Sequence, residues 1–128
     1  MSSKLNLSIQ WHITTNCGHR CDHCYMFDPQ TWPAERDHTL PLRDLFRILD
    51  SFCEFEQKWP VEIGHFAITG GDPLLRKDWQ EFVAELRRRG KSVSLMGNPE
   101  TLTEANLAAL VELGVAHYQL SLDGLEPA

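Results

Sequence analysis

Three cysteines, Cys17, Cys21 and Cys24, form a C-x3-C-x2-C pattern directly after a strand-like segment. Thiolates are the usual protein ligands of iron–sulfur clusters, and a four-iron cluster needs one ligand for each iron. Three thiolates in one short segment therefore hold such a cluster and leave one iron open to a molecule that is not protein. The spacing predicts a [4Fe–4S] cluster that takes part in chemistry.

Two other ligand sets are compatible with the same segment. His19 or His23 would complete a Cys3His zinc site, which a structural zinc closes fully. Cys53 would complete a four-thiolate cluster and make an electron carrier, although the apolar stripe of its helix favours a buried structural thiol. A non-catalytic iron–sulfur or zinc module is therefore the alternative from a different functional class.

Composition excludes several classes of protein. The chain has 128 residues with 12 Lys and Arg against 18 Asp and Glu, and this net charge of −6 disfavours nucleic acid as a partner. No apolar run approaches the roughly 18 residues of a membrane span, and the first ten residues lack the pattern of a secretory signal. Cysteines concentrated in one segment favour metal binding in a reducing compartment over disulfides. We expect a cytoplasmic protein with no membrane partner.

Hydrophobic periodicity predicts strands alternating with helices. The strands are expected at residues 8–14, 62–69, 92–96 and 115–122, and the helices from Leu42, at 78–89 and at 103–113. Asp78 is expected to cap the second helix, and the Thr101-x-x-Glu104 pattern to cap the third. Connections of this length between strands require parallel crossovers, so the chain is an α/β protein with a parallel sheet.

Polar residues recur on one face of three predicted strands, where a parallel sheet covered on both sides would be apolar throughout. These residues are Gln10, His12, Thr14, His65, Thr69, His117, Gln119 and Ser121. We infer a sheet with helices on its outer face and a polar, ligand-accessible cavity on its inner face. His12, His65 and His117 are candidates for contact with substrate or cofactor there.

The cysteine pattern in this setting resembles the radical S-adenosylmethionine (radical SAM) enzymes. That family has partial (βα)6 barrels with C-x3-C-x2-C in the loop after the first strand, so about four of its βα units would be present here. Its open iron binds the amino and carboxylate groups of S-adenosylmethionine, and an electron cleaves the sulfonium to give methionine and a 5′-deoxyadenosyl radical. The resemblance implies a [4Fe–4S] cluster, S-adenosylmethionine and an electron donor such as flavodoxin or ferredoxin.

Gly70-Gly71-Asp72-Pro73 after the second strand is similar to the family's Gly-Gly-Glu-Pro. By this resemblance Gly70, Gly71 and Asp72 bind the methionyl amino group of the cofactor. Glycines let a backbone approach a ligand closely, and a carboxylate holds an ammonium group. Asp in place of Glu shortens the reach by one methylene. Without the family, the same four residues are a tight turn.

Further cofactor contacts follow from the same resemblance. Ser121 and Asp123 stand in a Ser-x-Asp-Gly pattern, where the serine contacts the ribose or the carboxylate of the cofactor. Asn98 is expected to meet the ribose, with a plain turn as the alternative, and the backbone of Tyr25 to meet the adenine. The positions agree with ligand binding outside the carboxyl ends of parallel strands.

The sequence also leads to expectations about extent and substrate. We expect residues 1–128 to be a radical SAM core domain truncated after the fourth strand, without the carboxyl-terminal barrel units or an auxiliary-cluster domain, and with little turnover alone. The overall pattern looks most like the branch that matures ribosomal peptides and proteins. An enzyme of haem or other small-molecule biosynthesis is the alternative.

Overall fold

The computed structural model describes residues 3–15 and 39–120, and the following account is restricted to them. The elements in chain order are β1 (Leu5–His12), α1 (Leu42–Lys58), β2 (Val61–Thr69), α2 (Trp79–Arg88), β3 (Ser92–Met96), α3 (Glu104–Glu112) and β4 (His117–Gln119). Two short 3₁₀ turns, Pro73–Leu75 and Pro99–Thr101, follow β2 and β3. The predicted alternation of strands and helices is confirmed.

The four strands form one parallel sheet in the order β1-β2-β3-β4. In a doubly wound sheet the strand order reverses at a switch point, whereas here each strand pairs with the next in sequence. Sequential parallel strands with helices on one side form the wall of a (βα) barrel. The α/β fold class is confirmed, and the sheet is consistent with part of a radical SAM barrel.

Trp11 of β1 lies at the centre of the packing between sheet and helices. The centre of its ring lies 5.2 Å from that of Phe82 in α2 and 5.8 Å from that of Phe52 in α1. Both pairs are edge-on, a favoured geometry for aromatic rings. The buried core contains Ile13, directly after β1, and apolar residues from β2, β3 and all three helices, and Leu7, Ile9 and Trp11 of β1 pack against it. This single core holds the strands in register and thereby aligns their carboxyl ends.

The opposite face of the sheet is polar, as the sequence predicts. Ser8, Gln10 and His12 of β1 and His117 and Gln119 of β4 are exposed. The pairing of β1 with β2 contains a bulge: Leu7 is opposite Ile63, but the next residue, Ser8, is opposite His65. Gly64 is therefore an extra residue in β2, and the side chain of His65 lies on the inner face. The ring nitrogens of His65 lie 3.0 Å from Ser92 Oγ and 2.9 Å from Ser94 Oγ. The bulge therefore places a hydrogen-bonded histidine among the polar residues.

Of the two predicted helix caps, Thr101 is wrong and Asp78 is confirmed in position only. The N-cap of α3 is Thr103, whose Oγ1 accepts from the Asn106 N–H at 3.2 Å, while Thr101 belongs to the preceding 3₁₀ turn. Asp78 occupies the N-cap position of α2 but makes no side-chain cap, because its carboxylate pairs with Arg76. The side chains of Thr101 and Asp78 thus each make a contact other than the expected cap.

No helix within residues 3–15 and 39–120 has both the length and the apolar character that crossing a bilayer would need.

A charged network joins the middle of α1 to the carboxyl end of α2. The Glu85 carboxylate accepts from the guanidinium groups of Arg88 and Arg89, and Arg89 also donates to Asp50 Oδ1 of α1 at 2.7 Å. The hydrogen bond from Arg88, followed by that from Arg89, lowers the pKa of Glu85 to about 2. Glu85 therefore stabilises the folded state while it is ionised.

The free energy of unfolding is expected to depend on the ionisation of Glu85. A carboxyl with a depressed pKa in the folded state contributes stability above its ordinary value of 4.5, and that contribution is lost as pH falls towards 2. Glu85→Gln should lower the neutral-pH stability by about 1–2 kcal/mol, a figure reduced for the exposure of Arg88. It should also flatten the acid dependence of chemical denaturation, whereas the control Glu81→Gln, exposed in the first turn of α2, should have a smaller effect that is limited to its interaction with the helix dipole. Equal acid dependence in wild type and Glu85→Gln would contradict this role.

Candidate cofactor site at the carboxyl edge of the sheet

The sheet aligns three of the segments in which the sequence predicts ligand contacts. Backbone hydrogen bonds continue past the strand ends, from the Ile13 N–H to the Thr69 carbonyl at 3.0 Å and from the Gly71 N–H to the Thr14 carbonyl at 2.9 Å. The Gly97 N–H donates to the Gln119 carbonyl at 3.2 Å. The exit of β1, the Gly-Gly-Asp turn after β2 and the segment after β3 therefore lie side by side.

Only a glycine fits at position 70, because the backbone at Thr14, just after β1, passes very close to it. Its φ is +149°, a region that side chains rarely adopt, and a Cβ there would lie 2.3 Å from the Thr14 carbonyl oxygen. The two glycines predict a close approach to a ligand, and the structure shows that they also make a close approach to the protein's own backbone at Thr14. This approach fixes the chain at Thr14, three residues before Cys17.

Asp72 is fully buried, with 0% of its surface exposed. Its Oδ1 accepts from the Leu74 N–H at 3.1 Å, and its Oδ2 accepts from the Thr101 hydroxyl at 2.7 Å. Each carboxylate oxygen thus has one partner inside the protein, and the second of them belongs to the segment after β3. The predicted contact between this carboxylate and the cofactor ammonium stays a prediction.

The segment after β3 packs directly on Asp72. A Cβ on Gly97 would lie 2.9 Å from Asp72 Oδ1 and 2.4 Å from the Tyr118 hydroxyl oxygen. The Tyr118 hydroxyl also donates to the Asn98 carbonyl at 3.4 Å. Burial raises the pKa of Tyr118 to about 12; the Thr101 hydrogen bond lowers it and the Asp72 carboxylate raises it. Asn98, the predicted ribose contact, lies between Gly97 and the turn that holds Thr101.

Arg76 joins the two described ends of the segment that contains the cysteines. The residue is 8% exposed, and its Nη1 donates to the Ile13 carbonyl at 3.0 Å and to the Leu40 carbonyl at 2.8 Å. The same guanidinium pairs with the Asp78 carboxylate. One side chain from the turn after β2 therefore sets the distance between the two ends of the cysteine segment.

The predicted cluster ligands Cys17, Cys21 and Cys24 lie outside the described residues, as do the predicted cofactor contacts Tyr25, Ser121 and Asp123. Within residues 3–15 and 39–120, no three His, Cys, Asp or Glu side chains are grouped as metal ligands. The structure thus describes the surroundings of the predicted metal site and leaves the three thiolates as a prediction.

Cys53 lies at the wrong edge of the sheet to complete that ligand set. It lines a cleft with residues at the amino ends of the strands, Lys4 and Val61 among them, and its Sγ accepts from Arg89 at 3.4 Å. The nine residues of β2 separate the two edges by about 26 Å. Cys17 is only two residues, at most about 8 Å, beyond Thr15 at the other edge. Cys53 is half-buried beside a guanidinium, so it is less enclosed than the apolar stripe predicts.

The residues present fit an iron–sulfur cluster with an amino-acid-bearing ligand. Three thiolates suit iron, and the adjacent edge offers two glycines without side chains and one carboxylate. The sequence does not identify Arg76 and Tyr118, because the backbone carbonyls to which they donate are 20 or more positions away in the chain. Thr101 was identified, but for a different role.

Comparison with known proteins agrees with this chemistry. The profile of the family described as Radical SAM superfamily matches residues 11–128. Among the relatives, GTP 3',8-cyclase 2 of Pseudomonas aeruginosa is 32% identical over 116 residues, which are 89% of this chain and 32% of that protein. Fe-coproporphyrin III synthase of Methanosarcina barkeri is 27% identical over 117 residues, 91% of this chain and 27% of that protein.

A third relative is AdoMet-dependent heme synthase of Oleidesulfovibrio alaskensis, which is 29% identical over 117 residues, 91% of this chain and 28% of that protein. The chain therefore spans about a third or less of the length of these curated relatives. All three are named as enzymes that make small molecules.

Gly70→Ala is expected to destabilise the protein by about 2–4 kcal/mol, because it combines an unfavourable φ with a backbone clash at Thr14. Gly64→Ala is the matched control, since a Cβ at this glycine of β2 meets nothing within 4 Å. It should change stability by less than about 0.5 kcal/mol. Chemical denaturation measures both, and equal effects at the two glycines would show that the contact with Thr14 is unimportant.

Arg76→Lys is expected to reduce cluster incorporation. Arg76 binds both carbonyls with Nη1 and Asp78 with Nε and Nη2, and the single nitrogen of a lysine cannot occupy both places, so at least one of these partners is lost, at about 1–3 kcal/mol. Iron per protein after anaerobic reconstitution should fall, together with the unfolding temperature. Arg47→Lys, on the exposed face of α1, is the control. Wild-type iron content in Arg76→Lys would refute the proposed link to the cysteine segment.

Proposed function

The chain belongs to the radical SAM superfamily, and from that premise we propose that it forms the cofactor-binding part of an enzyme that acts on a small molecule. Membership in this family implies a [4Fe–4S] cluster and S-adenosylmethionine as cofactors. When bound, the cluster supplies the electron for reductive cleavage of S-adenosylmethionine, which yields the radical that abstracts a hydrogen atom from the substrate.

We assign distinct tasks to the residues of the chain. Cys17, Cys21 and Cys24 hold the cluster through three of its irons. The Gly70-Gly71-Asp72 turn receives the amino group of S-adenosylmethionine. The supporting observation is the alignment of this turn with Thr14, three residues before the first cysteine, through the 2.9 Å hydrogen bond from Gly71.

The remaining predicted contacts surround the same edge. Asn98 and Ser121 would bind the ribose or carboxylate, and the backbone of Tyr25 the adenine, with Asp123 beside Ser121. Asn98 lies in the segment that packs on Asp72, which supports its assignment. An electron donor such as flavodoxin or ferredoxin would reduce the cluster.

A small-molecule substrate has better support than a peptide. The relatives are named for GTP cyclisation and for haem or coproporphyrin synthesis, and the expectation of a peptide maturase finds no support among them. Gly-Gly-Asp-Pro and Ser-x-Asp-Gly concern the cofactor, so they carry no information about the substrate. These motifs therefore do not distinguish a peptide substrate from a small molecule.

The inner face of the sheet favours a polar small molecule. Its exposed side chains are hydroxyls, amides and imidazoles, among them Gln10 and His12 on β1 and His117 and Gln119 on β4, the two outer strands of the described sheet. Such groups can hydrogen-bond to a heterocycle or a sugar, whereas a large apolar macrocycle would need apolar contacts. Of the two substrates for which these relatives are named, GTP therefore suits this surface better than coproporphyrin does.

The experiment uses the complete polypeptide, reconstituted with iron and sulfide without oxygen. The electron paramagnetic resonance spectrum of the reduced cluster should change when S-adenosylmethionine is added, because one iron is open to it. Production of 5′-deoxyadenosine should rise with the dialysable fraction of a cell extract, or with GTP, and not with the retained fraction.

Two variants serve as opposite controls. Cys17→Ala should abolish the spectral change, whereas Cys53→Ala should keep it. Stoichiometric zinc with negligible iron in protein purified without oxygen would overturn the whole proposal. Stimulation by the retained fraction alone would overturn the small-molecule part and restore a peptide substrate.

A further inference from the structure

We propose that Asp72 acts as a positioning residue: through Thr101 it fixes the segment that contains Asn98, and the backbone of the Gly70-Gly71 turn makes the contact with the cofactor. The inference rests on the proposed function and assigns a different task to one of its residues. It follows from four observations about the carboxyl edge of the sheet.

The first observation is that the Asp72 carboxylate is buried and already has partners. The Leu74 N–H occupies Oδ1 and the Thr101 hydroxyl occupies Oδ2, at 3.1 and 2.7 Å, and none of the residue is exposed. A side chain that receives a cofactor ammonium from solvent needs an accessible oxygen. Asp72 has the geometry of a buried acceptor that joins two loops.

The second observation is that Thr101 links Asp72 to Asn98. Its Oγ1 also lies 3.1 Å from the Asn98 carbonyl, and its own carbonyl accepts from the Asn106 side-chain amide of α3 at 2.8 Å. Tyr118 of β4 approaches the same Asn98 carbonyl. The position of Asn98 therefore depends on a network in which the carboxylate of Asp72 is the charged member.

The third observation is the lack of space for a longer acid. Gly97 lies so close that a Cβ added to it would be 2.9 Å from Asp72 Oδ1 and 3.3 Å from Pro73 Cδ. A glutamate carboxylate in place of Asp72 would have to move by about one methylene into this contact. The aspartate therefore matches the distance between the two loops.

The fourth observation is that the backbone of the turn is held independently of Asp72. The Gly71 N–H is bound to the Thr14 carbonyl, and Gly70 has the φ and the close approach that only glycine allows. The turn thus keeps its shape through β1, and Asp72 is left to connect β2 with the segment after β3.

Variants at Asp72 and Thr101 of the complete, reconstituted protein separate positioning from direct contact. Asp72→Asn keeps an oxygen for the Leu74 N–H and presents an amide N–H to Thr101 Oγ1, so both links remain while the charge is lost. Asp72→Ala and Thr101→Val remove the link, and Thr101→Ser keeps it. The readouts are the dissociation constant of S-adenosylmethionine, titrated by electron paramagnetic resonance at a temperature at which all variants are folded, and the unfolding temperature.

Positioning predicts that Asp72→Asn and Thr101→Ser bind S-adenosylmethionine within about threefold of wild type, and that Asp72→Ala and Thr101→Val bind about tenfold more weakly. The double variant Asp72→Ala/Thr101→Val should be no weaker than either single one, because both remove the same link. Asp72→Glu should weaken binding as well, although it restores the residue commonest in the family.

Three results would overturn the inference. Loss of binding in Asp72→Asn with wild-type affinity in Thr101→Val would mean that the charge contacts the ammonium directly. Wild-type affinity in every variant would mean that the link serves stability alone. Wild-type or tighter binding in Asp72→Glu would contradict the spatial argument. A wild-type protein whose cluster ignores S-adenosylmethionine would instead disprove the proposed function itself.

Discussion

The candidate site depends on the parallel pairing of β1 with β2, which continues beyond the last residue of either strand. The hydrogen bonds from Ile13 to Thr69 and from Gly71 to Thr14 extend the ladder to the point where the chain leaves the sheet. Arg76 adds a third connection at Ile13 and extends it to Leu40. Because both described ends of the cysteine segment are attached in this way to the end of β2 and the turn after it, the sheet register determines where the predicted cluster ligands begin.

This arrangement gives the Gly-Gly-Asp turn two tasks at one place. Gly70 admits the Thr14 carbonyl, Gly71 donates to it, and Asp72 holds the segment after β3. All three serve the protein's own structure as well as the proposed ligand. A substitution in the turn is therefore expected to change folding and cofactor binding together, and only variants that preserve the internal contacts can separate the two effects.

The fold was predictable because its determinants are local, and the site was predictable only in part. Periodicity located all four strands, and the alternating polar residues located the inner face. The long-range partners could not be predicted: Thr101 looks like a helix cap in sequence, yet it donates to Asp72 29 positions away, and Arg76 binds Ile13 63 positions away. Nothing in the sequence near either residue specifies these partners, since the contacts follow from which strands are neighbours in the sheet.

The substrate was harder to predict than the cofactor for a geometrical reason. The motifs that resemble the family lie at the carboxyl ends of the strands, where the sheet presents backbone groups and turns. The side chains that would meet a substrate lie along the inner face, on alternate residues such as Gln10, His65 and His117, and they form no contiguous motif. His65 reaches that face only because Gly64 is an extra residue in β2. A single bulge therefore changes which side chains a substrate meets while it leaves the cofactor motifs untouched, so enzymes that share those motifs can act on different molecules.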